Sequence, residues 1–266
     1  MARLAMARSA GFRLLSSAVL LTVAAASITG CDDLVIGDRP PASPSVGATT
    51  EGGASATPSE TPVPLPMLPE RPAPGDGWTV FTDEQRLVSF ELLEGWTVET
   101  IEDPGEGFDE GGLHFEVSNA EGQRLAQLHT RITPVSEECA PDAASPYVVL
   151  SSEPVDIPST AEAEGSIAPR FVVRLAQGFR FFSSYGLTDV VGGADGAACV
   201  LKNTVQGPEH IGLYSFGDAT ELRALDPTQV GSRTESFATI AEAQKRFGQK
   251  GFDQIRRMIM SLQVAS

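Results

Sequence analysis

After residue 77 the sequence predicts an α+β fold, a mostly antiparallel sheet with C-terminal helices packed on it. The first observation is that apolar residues recur at every second position in short segments between residues 87 and 216. These segments are bounded by glycine or proline, a pattern typical of strands. The second observation is a change of period near the C-terminus, where one helical face collects Phe252, Ile255, Ile259 and Leu262. Because that face needs an apolar partner, we expect it to pack on the sheet.

Residues 1–30 have the features of a signal peptide. Arg3, Arg8 and Arg13 precede an apolar run of 15 residues, 14–28, and no acidic residue occurs before Asp32. A helix that spans a bilayer needs about 20 residues, so this run is short for a span and has the usual length of a signal-peptide core. We therefore expect export of the chain that follows.

The segment Ile28-Thr29-Gly30-Cys31 resembles the lipobox of bacterial lipoproteins. The resemblance implies that the signal peptide is cut just before Cys31 and that the Cys31 thiol carries a diacylglyceryl group. Two acyl chains, at about 0.8 kcal/mol per buried methylene, hold a protein firmly in a membrane. The expected location is the outer face of the plasma membrane. An ordinary secretory signal and an uncleaved membrane anchor remain as alternatives.

Residues 31–77 are predicted to be the lipidated cysteine followed by a disordered linker. Ten prolines occur between residues 38 and 77, with few side chains to bury. Such a segment cannot offset the entropy lost on ordering, so we expect it to act as a spacer. A docking site for a domain that binds PxxP is the alternative. Residues 78–266 are expected to form a single α+β domain, which is long enough to bury its own core.

Within this body, strands are predicted at 87–92, 96–101, 113–117, 126–132, 147–156, 170–176, 179–188, 198–205 and 211–216. Residues 119–122 are predicted to form a hairpin turn, and the capping box at Thr239 and Glu242 predicts a helix that ends at Phe247. Phe179, Phe181 and Tyr185 share one face of their strand and Phe182 lies on the other. This pattern predicts a central strand covered on both sides, and an apolar ligand cleft between sheet and helix is the alternative.

The charge of the chain excludes one class of partner. Lys and Arg number 19 against 35 Asp and Glu, which gives a net charge of −16. A body this acidic repels phosphate backbones, so we expect no nucleic-acid partner. Adsorption to anionic lipid is disfavoured for the same reason, which leaves the lipid anchor as the only expected contact with the membrane.

Residues 79–101, which include FTDEQRLVSFELLEGW, and residues 252–262, FDQIRRMIMSL, resemble the PsbP-like fold. That fold also occurs in extracytoplasmic lipoproteins of high-GC Gram-positive bacteria, and the excess of Arg over Lys, 16 to 3, agrees with high-GC coding. The resemblance implies an antiparallel sheet flanked by helices and an accessory or binding role without catalysis. It carries no catalytic residue over to this chain.

Cys139 and Cys199 are the only cysteines after Cys31. In an exported domain such a pair is typical of a disulfide, because no thiol pool keeps it reduced. A buried pair of free thiols and a catalytic thiol are the alternatives.

His114 and His129 lie on the two arms of the predicted hairpin and on one face, where they could reach the same metal ion with Glu116 as a third ligand. We interpret them as ordinary histidines of a polar face and predict no metal site. Acidic residues also crowd the glycine-rich loop 102–110. Calcium could bind such oxygens, but the loop lacks the D-x-D-x-D-G pattern and is interpreted as solvated.

No motif for nucleophilic, zinc or nucleotide chemistry occurs in the chain. We therefore expect a lipid-anchored, extracytoplasmic, non-enzymatic accessory or binding module of the cell envelope, with no cofactor and with an envelope protein as its candidate partner. A cell-envelope hydrolase and a small-ligand carrier of a transporter are the alternatives.

Replacing Cys31 with serine should release the protein from membranes or leave it unprocessed, because the rest of the chain offers no second apolar segment to hold it. Metabolic labelling with palmitate should mark the wild type and not the variant. Equal labelling of both proteins, or labelling of neither, would contradict the lipobox interpretation.

Overall fold

The computed structural model describes residues 66–135, 139–140, 143–225 and 234–266. The chain divides into two units, Met1–Glu60 and Thr61–Ser266, and every described residue belongs to the second. The predicted signal peptide, the predicted lipidation site at Cys31 and residues 32–65 of the predicted linker lie outside the described residues. Neither described helix has the length and apolar character needed to cross a bilayer.

The described part of the chain is an α+β fold built mainly from antiparallel strands, which confirms the predicted class. The strands are β1 (Trp78–Thr82), β2 (Val88–Leu93), β3 (Thr97–Thr100), β4 (His114–Ser118), β5 (Arg124–His129), β6 (Ser145–Pro154), β7 (Ser166–Gln177), β8 (Phe181–Val190), β9 (Ala197–Ala198), β10 (Leu201–Lys202), β11 (Val205–Gln206), β12 (Leu213–Gly217), β13 (Glu221–Leu222), β14 (Ser236–Phe237) and β15 (Gln263–Val264). The two helices are α1 (Ile240–Phe247) and α2 (Lys250–Met260).

The strands form three sheets. The largest has ten strands, in the order β3-β4-β5-β12-β8-β7-β6-β9, with β11 paired to β12 and β14 paired to β8. A second sheet has the order β1-β2-β15 and so joins the start of the body to its end. The third is the short pair β10-β13. Long β7 and β8 pair over most of their length in the middle of the large sheet, so β8 is a central strand, as its aromatic residues predicted.

The two helices cover one face of the large sheet. Helix α1 begins at the predicted capping box, where the Thr239 hydroxyl accepts a hydrogen bond from the Glu242 amide at 3.2 Å. Helix α2 buries Phe252, Ile255 and Ile259, and the Phe252 ring packs against Tyr185 of β8. Each fully buried side chain of this size contributes roughly 1.5–3 kcal/mol, so this packing orients the helices on the sheet.

Two strand predictions need correction. The segment 198–205 was expected to be one strand, but its residues pair with β6, β13 and β12 in turn. Three short strands result because the segment crosses over the sheet instead of running along one partner. Phe179 was expected to share a strand face with Phe181, but it lies in the turn before β8 and is half exposed. The alternation therefore begins only at Phe181.

The folded body begins before residue 78, where the sequence suggested its start. The Arg71 guanidinium donates hydrogen bonds to the Gln263 side chain at 3.2 Å, to the Ser89 carbonyl at 3.2 Å and to the Ser261 carbonyl. Met67 and Ser266 also exchange backbone hydrogen bonds. Residues 66–77, which were expected to belong to the linker, therefore pack along β2 and the C-terminal residues.

Replacing Arg71 with alanine should lower the free energy of unfolding of residues 61–266 by about 2 kcal/mol, because hydrogen bonds from a charged donor contribute roughly 1.5–3 kcal/mol. Urea unfolding followed by circular dichroism measures the change. The matched control is Arg246→Ala, which removes a surface ion pair with Glu235 and should cost less than about 1 kcal/mol. Equal losses in the two variants would mean that residues 66–77 do not stabilise the body.

Candidate functional site

The candidate site lies on the face of the large sheet opposite the helices. Along β7 and β8, Phe171, Val173 and Leu187 belong to the core beneath the helices. Because side chains alternate across a strand, the residues between them point to the other face. That second face carries polar side chains, namely His114, Glu116, Gln127, His129, Arg174 and Ser184. The short pair β10-β13 with Asn203, and the loop 102–112, lie over it.

Two glycines allow close contacts at the centre of this face. Gly186 of β8 pairs with Gly217 of β12. A Cβ atom on Gly217 would lie 2.3 Å from the Tyr185 carbonyl oxygen, and one on Gly186 would lie 3.1 Å from the Cβ of Asn203. Glycine at 186 therefore leaves room for Asn203 to rest directly on the sheet, and glycine at 217 allows β12 to approach β8 closely.

A chain of hydrogen bonds leads from a buried arginine to a carboxylate. The Arg174 guanidinium donates to the Asn203 side-chain oxygen at 2.6 Å and to the Lys202 carbonyl at 2.6 Å. The Asn203 amide nitrogen donates to the Ser184 hydroxyl at 2.6 Å, and that hydroxyl donates to Asp218 Oδ1 at 2.5 Å. The Tyr185 amide also donates to Asp218 Oδ1, at 2.9 Å. These contacts fix the orientation of the Asp218 carboxylate.

Burial changes the acidity of both ends of this chain. It lowers the pKa of Arg174 to about 10, which still leaves the guanidinium charged at neutral pH. Burial of the carboxyl raises the pKa of Asp218 to about 6, and the hydrogen bonds from Ser184 and the Tyr185 amide oppose this shift. The Asp218 residue retains some exposure to solvent. It is therefore a fixed carboxyl group that titrates near neutral pH.

The structure brings together the two histidines that the sequence placed on one face. His114 and His129 are direct cross-strand partners, and their Nδ1 atoms lie 3.1 Å apart. One Nδ1 must donate and the other must accept, so the pair shares one Nδ1 proton. Burial, followed by the nearby charges of His114 and Arg124, lowers the pKa of His129 to about 4. Burial also lowers the pKa of His114.

The pair is covered by the acidic loop through one aromatic ring. Phe108 lies 4.8 Å from the His114 ring centroid and 4.7 Å from that of His129. Backbone hydrogen bonds from Asp109 to Arg131 and from Thr133 to Gly107 hold the loop in place. The Gln127 side-chain amide donates a hydrogen bond to the Glu116 carboxylate at 3.2 Å. Within the described ranges, no group of three or more His, Cys, Asp or Glu side chains is arranged to hold a metal ion.

Cys139 and Cys199 lie at disulfide distance, with 2.04 Å between their Sγ atoms and 5.7 Å between their Cα atoms. The predicted pair therefore has the geometry that it requires. Both cysteines line a cleft of about 840 Å³, here called the apolar cleft. Its walls are mainly apolar side chains, among them Phe108, Ile132, Val135, Ala198, Val200 and Leu213.

A second cavity of about 500 Å³, here called the polar cavity, has two lining residues in common with the apolar cleft. Phe108 and Thr220 line both spaces. The polar cavity is lined by hydrogen-bonding side chains, namely Asp103, Glu116, Arg124, Gln127, His129 and Asp218. The face of the large sheet opposite the helices, here called the helix-free face, therefore offers both an apolar space and a polar space.

Sequence reasoning identified His114, His129 and the cysteines but missed Arg174, Asn203 and Asp218. One signal for Arg174 was available, because it interrupts the apolar run from Phe171 to Ala176 of a central strand. A charge at such a position is buried and needs a partner. Asp218 gave no comparable signal, since its partners come from other strands. No protein-family model, curated protein or solved structure matches this chain.

The histidine pair should make the fold sensitive to acid. His129 has a pKa of about 4 in the folded protein and about 6.5 when unfolded. The unfolded state therefore binds more protons, and stability is lost as pH falls from 6.5 towards 4. Between pH 7.5 and pH 5 this contribution is about 2 kcal/mol. Urea unfolding should show that His129→Phe removes that loss.

The effect of Asp218 on stability has the opposite sign, because its raised pKa increases the free energy of unfolding as pH falls through 6. For this reason the measurement is the difference between wild type and His129→Phe at the two pH values. His210→Gln is the control, because His210 lies outside the pair and bonds the Ala265 carbonyl. An unchanged pH dependence in His129→Phe would show that the pair does not couple folding to pH.

Proposed function

We propose that this protein is a lipid-anchored, extracytoplasmic, non-enzymatic binding module, and that its body holds an amphiphilic small molecule. The apolar part of the ligand fills the apolar cleft, and its head group occupies the polar cavity. The observation that carries the proposal is that these two spaces have Phe108 and Thr220 as common lining residues.

The dimensions of the apolar cleft support a small-molecule ligand. Its volume of about 840 Å³ falls within the range of about 300–1,000 Å³ that is common for ligand sites. Burial of a hydrocarbon chain against apolar walls contributes a favourable free energy of about 25 cal/mol per Å² of apolar surface. Converging hydrogen-bonding groups at one end are what such a site needs to orient its ligand.

The proposed location at the membrane surface explains why an amphiphile is a reasonable ligand. A diacylglyceryl group on Cys31 would hold the body close to the membrane, where amphiphiles are concentrated. The body would then pass its ligand to or from another envelope component, as the carrier of a transporter does. An envelope protein remains the proposed partner in this transfer.

A cell-envelope hydrolase is the second candidate, and one observation favours it. The Asp218 carboxyl has a pKa of about 6 and lines a polar cavity, which suits a general acid or base. The binding function accounts for the apolar cleft as well as the polar cavity, whereas hydrolysis accounts only for the polar cavity. We therefore prefer the binding function.

Filling the apolar cleft should weaken ligand binding. Val200 lines the cleft and is half-buried, so Val200→Trp places a large ring in the space that the ligand needs. Isothermal titration of residues 61–266 with decyl glucoside, kept below its micelle concentration, should show binding that the variant weakens at least about tenfold.

The matched control is Val80→Trp, which adds the same ring at an exposed position of β1. It should bind decyl glucoside as the wild type does. Absence of binding by the wild type to decyl glucoside and to its charged decyl analogues would refute the proposal. Equal weakening in the two tryptophan variants would place the ligand outside the apolar cleft.

A further inference from the structure

We infer that the ligand of this site is a cationic amphiphile, whose positive head group lies beside Asp218 in the polar cavity. The inference rests on the proposed function, because it names the chemical class of ligand for the same two spaces. Three observations on the charges of the site carry it: their balance, their pairing and the way Asp218 is held.

The balance of charge is negative in both spaces. The apolar cleft is lined by Glu106, Asp195 and Glu221 against Lys202 and Arg223. The polar cavity is lined by Asp103, Glu116 and Asp218 against Arg124 alone. Six carboxylates therefore face three cations, and the chain as a whole carries −16. An anionic head group would meet repulsion on entry and inside the site.

Pairing within the protein leaves two carboxylates of the apolar cleft open to a ligand. The Lys202 ammonium donates to the Val135 carbonyl at 3.0 Å, and the Arg223 guanidinium pairs with Glu221 at 2.9 Å. Glu106 and Asp195 form no hydrogen bond or ion pair with another described residue. The cleft therefore presents two carboxylates to an incoming ligand, while Arg223 is ion-paired with Glu221 and the Lys202 ammonium, which keeps its charge, is held by the Val135 carbonyl.

Asp218 is held as a carboxylate that is ready to receive a cation. Its Oδ1 atom accepts the hydrogen bonds from Ser184 and from the Tyr185 amide. Its Oδ2 atom accepts none from the side chain or backbone of another described residue. The chain from Arg174 through Asn203 and Ser184 fixes the carboxylate, so little side-chain freedom is lost when a ligand pairs with it.

The apolar walls of the cleft indicate the chemistry of the rest of the ligand. A small, strongly hydrated metal ion gains nothing from the apolar cleft, and the described residues hold no cluster of metal ligands. An alkylammonium group joined to a hydrocarbon chain matches both spaces at once. The Phe108 ring, which lies between them, can also attract a cationic head group through its face.

The experiment compares three probes that share one hydrocarbon chain. Decyltrimethylammonium, decyl glucoside and decyl sulfate are titrated into residues 61–266 by calorimetry, each below its micelle concentration. This segment contains the complete core, the disulfide and the Arg71 contacts. The trimethylammonium probe should bind about tenfold more tightly than decyl glucoside, and decyl sulfate should bind most weakly.

Asp218→Asn should weaken binding of the trimethylammonium probe about fivefold to tenfold and so remove most of its advantage over decyl glucoside. Glu116→Gln, a second change in the polar cavity, should act in the same direction and covers the case in which Asp218→Asn fails to fold. The matched control is Asp253→Asn, which removes the same charge from exposed α2 on the other side of the sheet. It should change none of the three affinities.

The outcomes separate this inference from the proposed function. If decyl glucoside or decyl sulfate binds as tightly as decyltrimethylammonium, the inference is overturned and the amphiphile site stands. If none of the three binds, the proposed function itself fails. If Asp253→Asn weakens the cationic probe as much as Asp218→Asn or Glu116→Gln, net charge is responsible and the placement beside Asp218 is wrong.

Discussion

The burial of the Arg174 guanidinium is the constraint on which the face of the sheet that carries the candidate site depends. Arg174 is almost fully buried in a central strand, and a buried charge costs several kcal/mol unless hydrogen bonds replace its lost hydration. The Lys202 carbonyl and the Asn203 side chain each accept a hydrogen bond from the same terminal nitrogen of the guanidinium, whereas its Nε is buried without a partner among the described residues. Both groups belong to the segment that crosses the helix-free face. The arrangement of that segment is therefore fixed by the need to solvate Arg174.

Asn203 links this constraint to the cavities. Asn203 bonds Ser184 on one side and the backbone of Ala219 and Thr220 on the other. Thr220 lines both the apolar cleft and the polar cavity, and Ser184 holds Asp218. Any movement of Asn203 would alter both spaces. Rigidity beneath the site is thus the physical reason that its carboxylate can be fixed before a ligand arrives.

Local signals in the sequence were sufficient for the regular elements. The hairpin turn was predictable because Asn119 bonds the amides of Glu121 and Gln123, and Gly122 takes a positive φ of 74°. The helix cap at Thr239 depends on residues three apart and was equally readable. The divided strand at 198–205 was not, because its apolar residues satisfy three different partners. Its pattern alone cannot distinguish that arrangement from one continuous strand.

For the candidate site, too, contacts within one hairpin could be predicted from the sequence, and contacts between distant segments could not. His114 and His129 could be paired in advance, because a short hairpin fixes which residues face each other across two strands. Asp218 could not, because its position depends on Ser184, Asn203 and Arg174, which come from separate parts of the chain. Residues 66–77 escaped prediction for a related reason. Proline-rich composition indicates little intrinsic order, but it does not show that Arg71 can find three acceptors on the C-terminal residues and β2.

The raised pKa of Asp218 shows that the protein alone stabilises its carboxylate poorly. Two hydrogen bonds to Oδ1 do not make up for the water that burial removes, and Arg124 is the one Lys or Arg among the described residues that line the polar cavity. At neutral pH the site therefore holds a negative charge that the fold tolerates rather than favours. A cation brought by a ligand would lower the free energy of that charged form. By linkage, ligand binding and ionisation of Asp218 would each strengthen the other. A residue kept in this state is a cost to stability, and such costs are typically retained where a ligand offsets them.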